Sequence, residues 1–458
     1  MSATNIASVE KFEILPSNQP ADNTYSFRKG NPIITFNIGS TSKLLKASSV
    51  RINGTLTVLD SAGALVGNGD INQSRGGAGG ATTSKVSINP RVGVNGLFQN
   101  VSIASNDTNQ TLESVRQYGR MCATVLPSTH STEDFLQSKG VVELNTGLLG
   151  CTGDLINNSV SFSCQLLAGM LQGGNAIAMG VNGVRGLTIQ LELVSDQQLL
   201  SGADAGTGAG ASYEVKDLSI TGDFLVPDAQ GQQALSVAGS GAFQYNSYNN
   251  LYSVIDSGDA TQTYNLASSG VLDIFHNFLP VSHANNYSQD GFATSMLQTT
   301  NASGASYTGT AVLQKVSFSR GGLKLGLDYD LDVQTQSEQG RPETGVIVNA
   351  LNAVGMTTYG QKTKLVNQPL LLNFGGQDEV IYNDSGLQPF SSVDDGKRNF
   401  AIGLGIDKVS GVGVDFRGQS YATRIQSTLD GKSPNAVYTY VLSKNTLMYS
   451  PQGIMVQS

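Results

Sequence analysis

Charged residues are scarce in this sequence. Its 458 residues include 27 Lys and Arg and 35 Asp and Glu, so 14% of the chain is charged. Globular proteins usually carry roughly 25%. The apolar fraction of 39% is ordinary, which excludes an intrinsically disordered chain. A helical bundle is excluded as well, because such chains are rich in Ala, Glu, Lys, Leu and Arg. Uncharged polar residues take the place of the missing charge.

Basic residues, long apolar runs and cysteines are also few. The net charge of −8 argues against a nucleic-acid binder, so we expect no sequence-specific contact with nucleic acid. The sequence contains no run of 18 apolar residues, so we expect no membrane-spanning helix. The three cysteines, Cys122, Cys151 and Cys164, are irregularly spaced, which argues against a disulfide framework. Residues 1–15 lack the pattern of a secretory signal peptide, so we expect folding in a reducing cytoplasm.

Apolar and polar residues alternate with a period of two through much of the chain. The clearest runs are 50–58, 160–166, 187–193, 323–333 and 400–406. Successive side chains of a strand point to opposite faces, so each run predicts a strand with one buried face and one wet face. This pattern is typical of antiparallel sandwiches and barrels. Gly-rich and Ser-rich stretches at 61–83 and 201–212 predict long surface loops between the runs.

Helical spacing is limited to a few segments. Apolar residues three or four positions apart predict helices near 111–124 and 344–355, and a further candidate covers 271–279. A capping-box pattern at Ser131 to Asp134 predicts the start of another short helix. Predicted strands precede and follow the helix near 111–124, and the same order recurs around the helix near 344–355, which indicates two halves with one plan.

A polar segment rich in Gly, Ala and Gln, 227–241, separates these halves and is interpreted as a linker. Strands lead to a helix and then to further strands on each side of it. The predicted organisation is an N-terminal segment at 1–24, a first domain at 25–228, a linker at 229–242 and a second domain at 243–458.

Several segments together resemble a known family. The early ones are 12–16 (FEILP), 25–27 (YSF), 31–38 (NPIITFNI) and 48–58 (SSVRINGTLTV). The later ones are 89–90 (NP), 97–103 (LFQNVSI), the predicted helix 112–118 (LESVRQY), 186–193 (GLTIQLEL) and 213–220 (YEVKDLSI). In order and pattern they resemble double jelly-roll major capsid proteins of the adenovirus and tectivirus lineage, which includes virophages and polinton-like viruses. Over 243–455 the resemblance consists of the repeated plan alone.

The resemblance implies an all-β chain of two tandem eight-stranded antiparallel jelly rolls with a few short helices in loops. Three chains would form a pseudo-hexagonal trimeric capsomer of an icosahedral virion shell. The segments 61–83, 195–212 and 286–311 become candidates for outer towers or for contacts between subunits. Implied partners are other copies of the chain, penton and minor capsid proteins, and an internal membrane.

Candidate catalytic and metal-binding residues are few. The three histidines, His130, His276 and His283, show no H-E-x-x-H spacing, so we expect structural or surface roles. Cys122 lies near His130 in sequence, but it falls on the apolar face of a predicted helix, which favours a buried, inert thiol. Cys164 lies on the inward face of a predicted strand.

Three aspartates, Asp328, Asp330 and Asp332, share one face of a predicted strand. Such carboxylates can bind a hard cation. An EF-hand loop would need Gly at position 333 and Glu at position 339, where this chain has Val333 and Gln339. A solvated strand face, paired with Lys or Arg on a neighbouring strand, is therefore the preferred interpretation.

Two glycine motifs are also weak. The segment 206–210 (GTGAG) precedes a predicted strand, so it lacks the helix N-terminus that a dinucleotide site needs. The segment 431–433 (GKS) lacks the upstream Gly of a P-loop, because Gln426 occupies that position, and it predicts a turn. The sequence thus assigns no catalytic, cofactor-binding or metal-ligating residue, and no cofactor or enzymatic activity is expected.

Two alternatives to a self-assembling capsid protein remain open. A β-sandwich adhesin or receptor-binding fibre protein would have a solvent-facing recognition loop and would be exported. A β-fold glycoside-active enzyme would have a cleft with two facing carboxylates. The absence of Trp lowers the expectation of such an enzyme, because carbohydrate clefts commonly use aromatic platforms.

Overall fold

The fold is given by a computed structural model of the chain. It describes residues 6–63, 88, 92–129, 159–172, 176–180, 184–200, 210–237, 241–287, 291–292, 298–300, 307–310, 313–325, 331–332, 382–383, 386–387, 401–406, 413–450 and 453–457.

The described residues of the first half form eleven strands and two helices. The strands are β1 (Ile6–Ile14), β2 (Thr24–Tyr25), β3 (Ile33–Gly39), β4 (Leu44–Lys46), β5 (Arg51–Leu59), β6 (Phe98–Ser105), β7 (Thr111–Arg116), β8 (Ser159–Cys164), β9 (Ala176–Ala178), β10 (Gly186–Leu193) and β11 (Ser212–Pro227). The helices are α1 (Tyr118–Thr129) and α2 (Asp196–Leu199).

These strands form two antiparallel sheets. One has the order β8-β5-β11-β4-β9, with β1 and β2 also paired to β11, and the other has the order β3-β10-β6-β7. The chain passes from one sheet to the other repeatedly, as in a jelly roll. Side chains such as Phe36, Ile52, Ile103, Ile189 and Ile220 are fully buried between the sheets. The period-two runs at 50–58, 160–166 and 187–193 are thereby confirmed as β5, β8 and β10.

The second half begins after helix α3 (Ala229–Val237). Its strands are β12 (Gly241–Asn265), β13 (Val271–Pro280), β14 (Gln298–Thr300), β15 (Tyr307–Thr310), β16 (Leu313–Arg320), β17 (Leu323–Lys324), β18 (Leu331–Asp332), β19 (Tyr382–Asn383), β20 (Gly386–Leu387), β21 (Ala401–Gly405), β22 (Ser420–Ser450) and β23 (Gly453–Gln457).

One large antiparallel sheet organises this half. Its order is β17-β16-β22-β13-β21, with β12 and β23 also paired to β22 and β18 paired to β16. A second hydrophobic cluster, which includes Ile274, Val316, Phe416 and Ile425, packs against it. The run at 400–406 is confirmed as β21. The run at 323–333 begins with β17 and includes β18, and 326–330 lie outside the described residues.

The helix predicted near 111–124 is partly wrong. Residues 111–116 form strand β7, and the helix begins only at Tyr118. Gln117, with φ of 52°, has a left-handed backbone conformation that ends the strand and turns the chain into α1. Leu112 and Val115 lie on opposite faces of β7 and are both buried, which produces a helix-like spacing within a strand.

The helix predicted at 271–279 is wrong, because this segment is strand β13. Every residue of β13 is buried, so the strand has no wet face and shows no alternation. The helices predicted at 131 and at 344–355 fall outside the described residues. The predicted linker contains helix α3. Asp228, just before this helix, accepts a hydrogen bond of 2.7 Å from the amide of Gly231.

Candidate assembly surfaces

His276 is a structural residue in the core of the second half. Its Nδ1 lies 2.8 Å from the Thr439 hydroxyl, and its Nε2 lies 2.9 Å from the Tyr421 hydroxyl and 3.0 Å from that of Thr423. Burial lowers the pKa of His276 to about 3, so the ring is neutral and hydrogen bonded. His283 is also buried, in a short 3-10 helix. His130 lies outside the described residues.

The cysteines within the described residues are buried. Cys122 lies in α1 and Cys164 in β8, as the sequence predicted, and neither is in a disulfide. Burial raises the pKa of Cys122 and raises that of Cys164 to about 12, so both thiols are protonated and poorly reactive at neutral pH. Cys151 is outside the described residues.

The aspartate and glycine motifs form no binding site in the residues that the structure describes. Asp332 lies opposite Lys315 in the β16–β18 register, whereas Asp328 and Asp330 are outside the described residues. Gly210, the last residue of the GTGAG segment, precedes strand β11. Gly431, with φ of +74°, lies within the long strand β22 where its register with β12 shifts, so the segment 431–433 does not end a strand as the predicted turn would. In the described part of the chain, no group of three or more His, Cys, Asp or Glu side chains is arranged to hold a metal ion.

Helix α1 of the first half packs against strands of the second half. Arg120, only 4% exposed, places its guanidinium carbon 4.6 Å from the centroid of the Tyr438 ring on β22. The Arg120 carbonyl accepts a 3.4 Å hydrogen bond from the Asn277 amide on β13. Tyr440 donates a 3.0 Å hydrogen bond to the carbonyl of Gln117. The start of α1 is thereby held against two strands of the second half.

Glu113 on β7 connects three segments. Its two carboxylate oxygens each accept a 2.8 Å hydrogen bond, one from the amide of Gly169 and one from that of Met170. The hydroxyl of Ser247, on β12, is a third hydrogen-bond partner. Burial outweighs these bonds and raises the pKa of Glu113 above its ordinary value. Beside it, Tyr245 donates a hydrogen bond to the carbonyl of Leu112.

The halves also approach closely through their backbones. A Cβ added at Gly169 would lie 1.6 Å from the carbonyl oxygen of Asn246, so only glycine fits there. A Cβ at Gly119 would lie 2.7 Å from the ring of Phe292. Tyr287 donates a 2.9 Å hydrogen bond to the carbonyl of Ala211. Such fit at several separate points fixes the orientation of one half on the other.

No protein-family model and no curated protein matches this sequence. Solved structures do match it. PBCV-1 VP54, fitted into a reconstruction of the virophage Sputnik, matches with a TM-score of 0.56 and 11% identity, over 98% of this chain and 96% of that chain. The Faustovirus major capsid protein matches with a TM-score of 0.53 and 11% identity, over 97% and 91%. The chain has the double jelly-roll fold. A structure of the Sputnik virophage itself matches at 0.54 and 9% identity, over 100% and 89%.

The outer face of one sheet in the first half of this double jelly roll carries hydroxyl and amide groups beside the charged pair of Glu214 and Lys216 on β11. Across β5 and β8, the hydroxyls of Thr57 and Ser159 lie 2.8 Å apart and those of Thr55 and Ser161 lie 3.4 Å apart. Asn53 donates a 3.0 Å hydrogen bond to Thr221 on β11. Hydroxyl and amide groups thus form hydrogen bonds across β5, β8 and β11 on this face.

Several large apolar side chains of the double jelly roll are exposed. They are Val9, Leu15, Phe27, Ile33, Tyr252, Val254, Val281, Leu323 and Met455. Val9 and Leu15 lie in or beside β1, and Tyr252 and Val254 lie on β12. Among the helices the structure describes, none is long and apolar enough to cross a membrane.

The three loop segments suggested as towers are described only in part. Within 195–212, helix α2 and residues 210–212 are mostly buried, so these parts are packed against the body rather than projecting. Within 286–311, Phe292 is buried against the first half. Residues 64–83 lie outside the described part.

Sequence reasoning missed the contact between the halves. Arg120 and Glu113 carry much of it, and each is a buried charged residue in a charge-poor chain. Their burial is visible only in the structure, where each has specific partners.

Proposed function

We propose that this chain is a viral major capsid protein whose role is structural, and that it assembles as trimeric pseudo-hexagonal capsomers of an icosahedral shell. The observation that carries the proposal is the match to capsid-protein structures over nearly the whole length of both chains. It covers both halves in one arrangement, so it supports a building block in which two jelly rolls stand side by side.

Assembly would proceed through burial of surface. Moving an unpaired charge out of water costs several kcal/mol, whereas hydroxyl and amide groups can exchange water for partners on another copy. Exposed hydroxyl groups such as those of Thr55 and Ser161 are suited to repeated contact of this kind. This is the physical reason we assign to the low charge of the sequence.

The domain boundaries stay a proposal as predicted, with jelly rolls at 25–228 and 243–458 and a linker at 229–242. The segment 1–24 adds strand β1 to the first sheet. Other copies of the chain are the principal partners, with penton and minor capsid proteins and an internal membrane as further ones. The protein would be made in the host cytoplasm, act in the virion and have no enzymatic activity.

Electron microscopy of the purified protein tests this proposal. The expected result is a population of six-lobed capsomers or closed shells. Single two-lobed particles at all concentrations would contradict it and would favour the adhesin alternative. The enzyme alternative requires a pair of facing carboxylates within about 10 Å in an open cleft, with hydrolysis of a glycoside substrate.

A further inference from the structure

An open pocket of about 350 Å³ lies where strand β7 of the first half faces strand β12 of the second. Ser114 and Arg116 of β7 line one side of it. Both alternate along the strand with Val115, which is fully buried in the core of the first half, so they point away from that core. The volume lies within the range of small-molecule sites, about 300–1,000 Å³.

The second half supplies an apolar wall to this pocket. Leu251 on β12, Leu266 just after it and Val441 on β22 line the pocket. Leu266 and Val441 belong to the core of the second half, and Leu251 packs against it. The segment that follows β12 is fixed, because the carbonyl of Ser268 accepts a 2.9 Å hydrogen bond from the amide of Phe416. The wall is therefore formed before any ligand binds.

Uncharged hydrogen-bonding groups line the pocket as well. Asn249 on β12 and Asn265 at the end of that strand are exposed, and their amides both donate and accept hydrogen bonds. Asn250 is a third lining residue, and its Nδ2 is buried with no hydrogen-bond partner among the described residues. A donor left in this way costs free energy. A rotation of the Asn250 side chain would turn this donor toward a ligand oxygen in the pocket.

Arg116 gives the pocket a positive charge. It is exposed at the end of β7, and no carboxylate of the described residues forms an ion pair with it. The described residues that line the pocket include neither Asp nor Glu. A guanidinium group binds a carboxylate through two parallel hydrogen bonds, so the group that this arginine recognises best is an acid.

We propose that this pocket binds a small organic acid that also carries hydroxyl groups, such as a sugar acid. Its carboxylate would bind Arg116, its hydroxyl groups would bind the asparagine amides, and its C–H groups would lie on the apolar wall. The described lining contains one basic residue and has room for more than a single inorganic ion, which favours an organic acid over phosphate. This is a binding function beside the structural one, and it does not depend on assembly.

Isothermal titration of the full chain with glucuronate tests the proposal, with glucose and inorganic phosphate as comparison ligands. Glucuronate should bind once per chain and at least about tenfold more tightly than glucose, because a hydrogen bond to a charged group contributes more than one between neutral groups. Phosphate should also bind more weakly. Comparable affinities for glucuronate and glucose would overturn the proposal, as would no binding of glucuronate up to about 10 mM. Phosphate that binds as tightly as glucuronate would overturn the assignment to an organic acid.

A substitution of the arginine places the ligand in this pocket. Arg116→Gln should weaken glucuronate binding by about tenfold and leave glucose binding nearly unchanged. Arg185→Gln is the matched control, because the Arg185 side chain is 56% exposed and lies beside Asp107, outside the pocket. Glucuronate affinity should be retained in that variant. Equal affinities in the two variants would overturn the site, and equal melting temperatures would show that both variants fold.

The outcome is separate from the proposed function. The titrations measure a ligand and not self-association, so a pocket that binds no acid overturns this inference and leaves the capsid role standing. A chain that stays monomeric and still binds glucuronate through Arg116 would contradict the capsid role and support the pocket.

Discussion

The guanidinium group of Arg120 lies over the ring of Tyr438, 4.6 Å from carbon to centroid, at the contact between the two jelly rolls. The pair joins a helix of the first half to a strand of the second, 318 residues later in the chain. A second tyrosine ring, that of Tyr252, packs edge-on against Tyr438 with centroids 5.4 Å apart. The charge is thereby held beside aromatic rings, where a cation is attracted to the π electrons.

This relationship predicts coupling between Arg120 and Tyr438. In a double-mutant cycle of Arg120→Leu and Tyr438→Leu, we expect a coupling free energy of about 1–2 kcal/mol from denaturant unfolding, as for a desolvated cation–π pair. The exposed ion pair of Arg424 and Asp259 is the comparison, and its coupling should be smaller because solvent screens it. Equal coupling in both cycles would count against the role of Arg120.

A substitution at Gly169 tests how closely the backbones of the two halves approach each other. Gly169→Ala should destabilise the protein by about 2 kcal/mol or more, because its Cβ would overlap the backbone carbonyl of Asn246 and force the halves apart. Gly39→Ala is the control, since a Cβ there meets nothing within 4 Å. Thermal unfolding of both variants gives the measurement. A Gly169→Ala protein as stable as the control would contradict the described contact.

The burial of Glu113 should make the stability of the folded protein depend on pH. Burial raises its pKa above the ordinary 4.5, so above pH 4.5 the folded state retains a proton that the unfolded state has lost. The stability that this group contributes is present below pH 4.5 and is lost as the pH rises through the folded pKa. Wild type should therefore lose stability relative to Glu113→Gln between pH 4.5 and 7. A wild type that gains relative stability over that range would reverse the sign and refute the assignment.

The burial of His276 should have the opposite effect, a loss of stability as the pH falls. Its pKa is about 3 in the folded state, against 6.5 ordinarily, so the unfolded state binds the additional proton between these values. The stability is present above pH 6.5 and falls by up to about 1.4 kcal/mol per pH unit as the pH decreases toward 3. His276→Gln should show a shallower loss in denaturant unfolding between pH 6 and 4. Parallel curves for the two proteins would remove this explanation.

Strands of the first half could be predicted from the sequence where one face of the strand is buried and the other is exposed to solvent. β5, β8 and β10 show apolar and polar residues in strict alternation, and their positions were predicted within about two residues. β13 was not, because it is buried on both sides and its residues are apolar at positions that also fit one face of a helix. Only pairing with β21 and β22, distant in sequence, makes it a strand.

The boundary between β7 and α1 could not be predicted for a related reason. The left-handed conformation of Gln117 separates them, and glutamine carries no strong signal for such a turn. The contact between the halves depends on residues far apart in the chain, such as Glu113 with Ser247 and Arg120 with Tyr438. Local spacing carries no information about those pairings.

Sedimentation equilibrium of the purified chain tests the central claim most directly. We expect a stable species of three times the 48.0 kDa chain mass, or larger particles built from it. The trimer should persist on dilution through the micromolar range. A strict monomer of 48.0 kDa at every concentration would contradict the account.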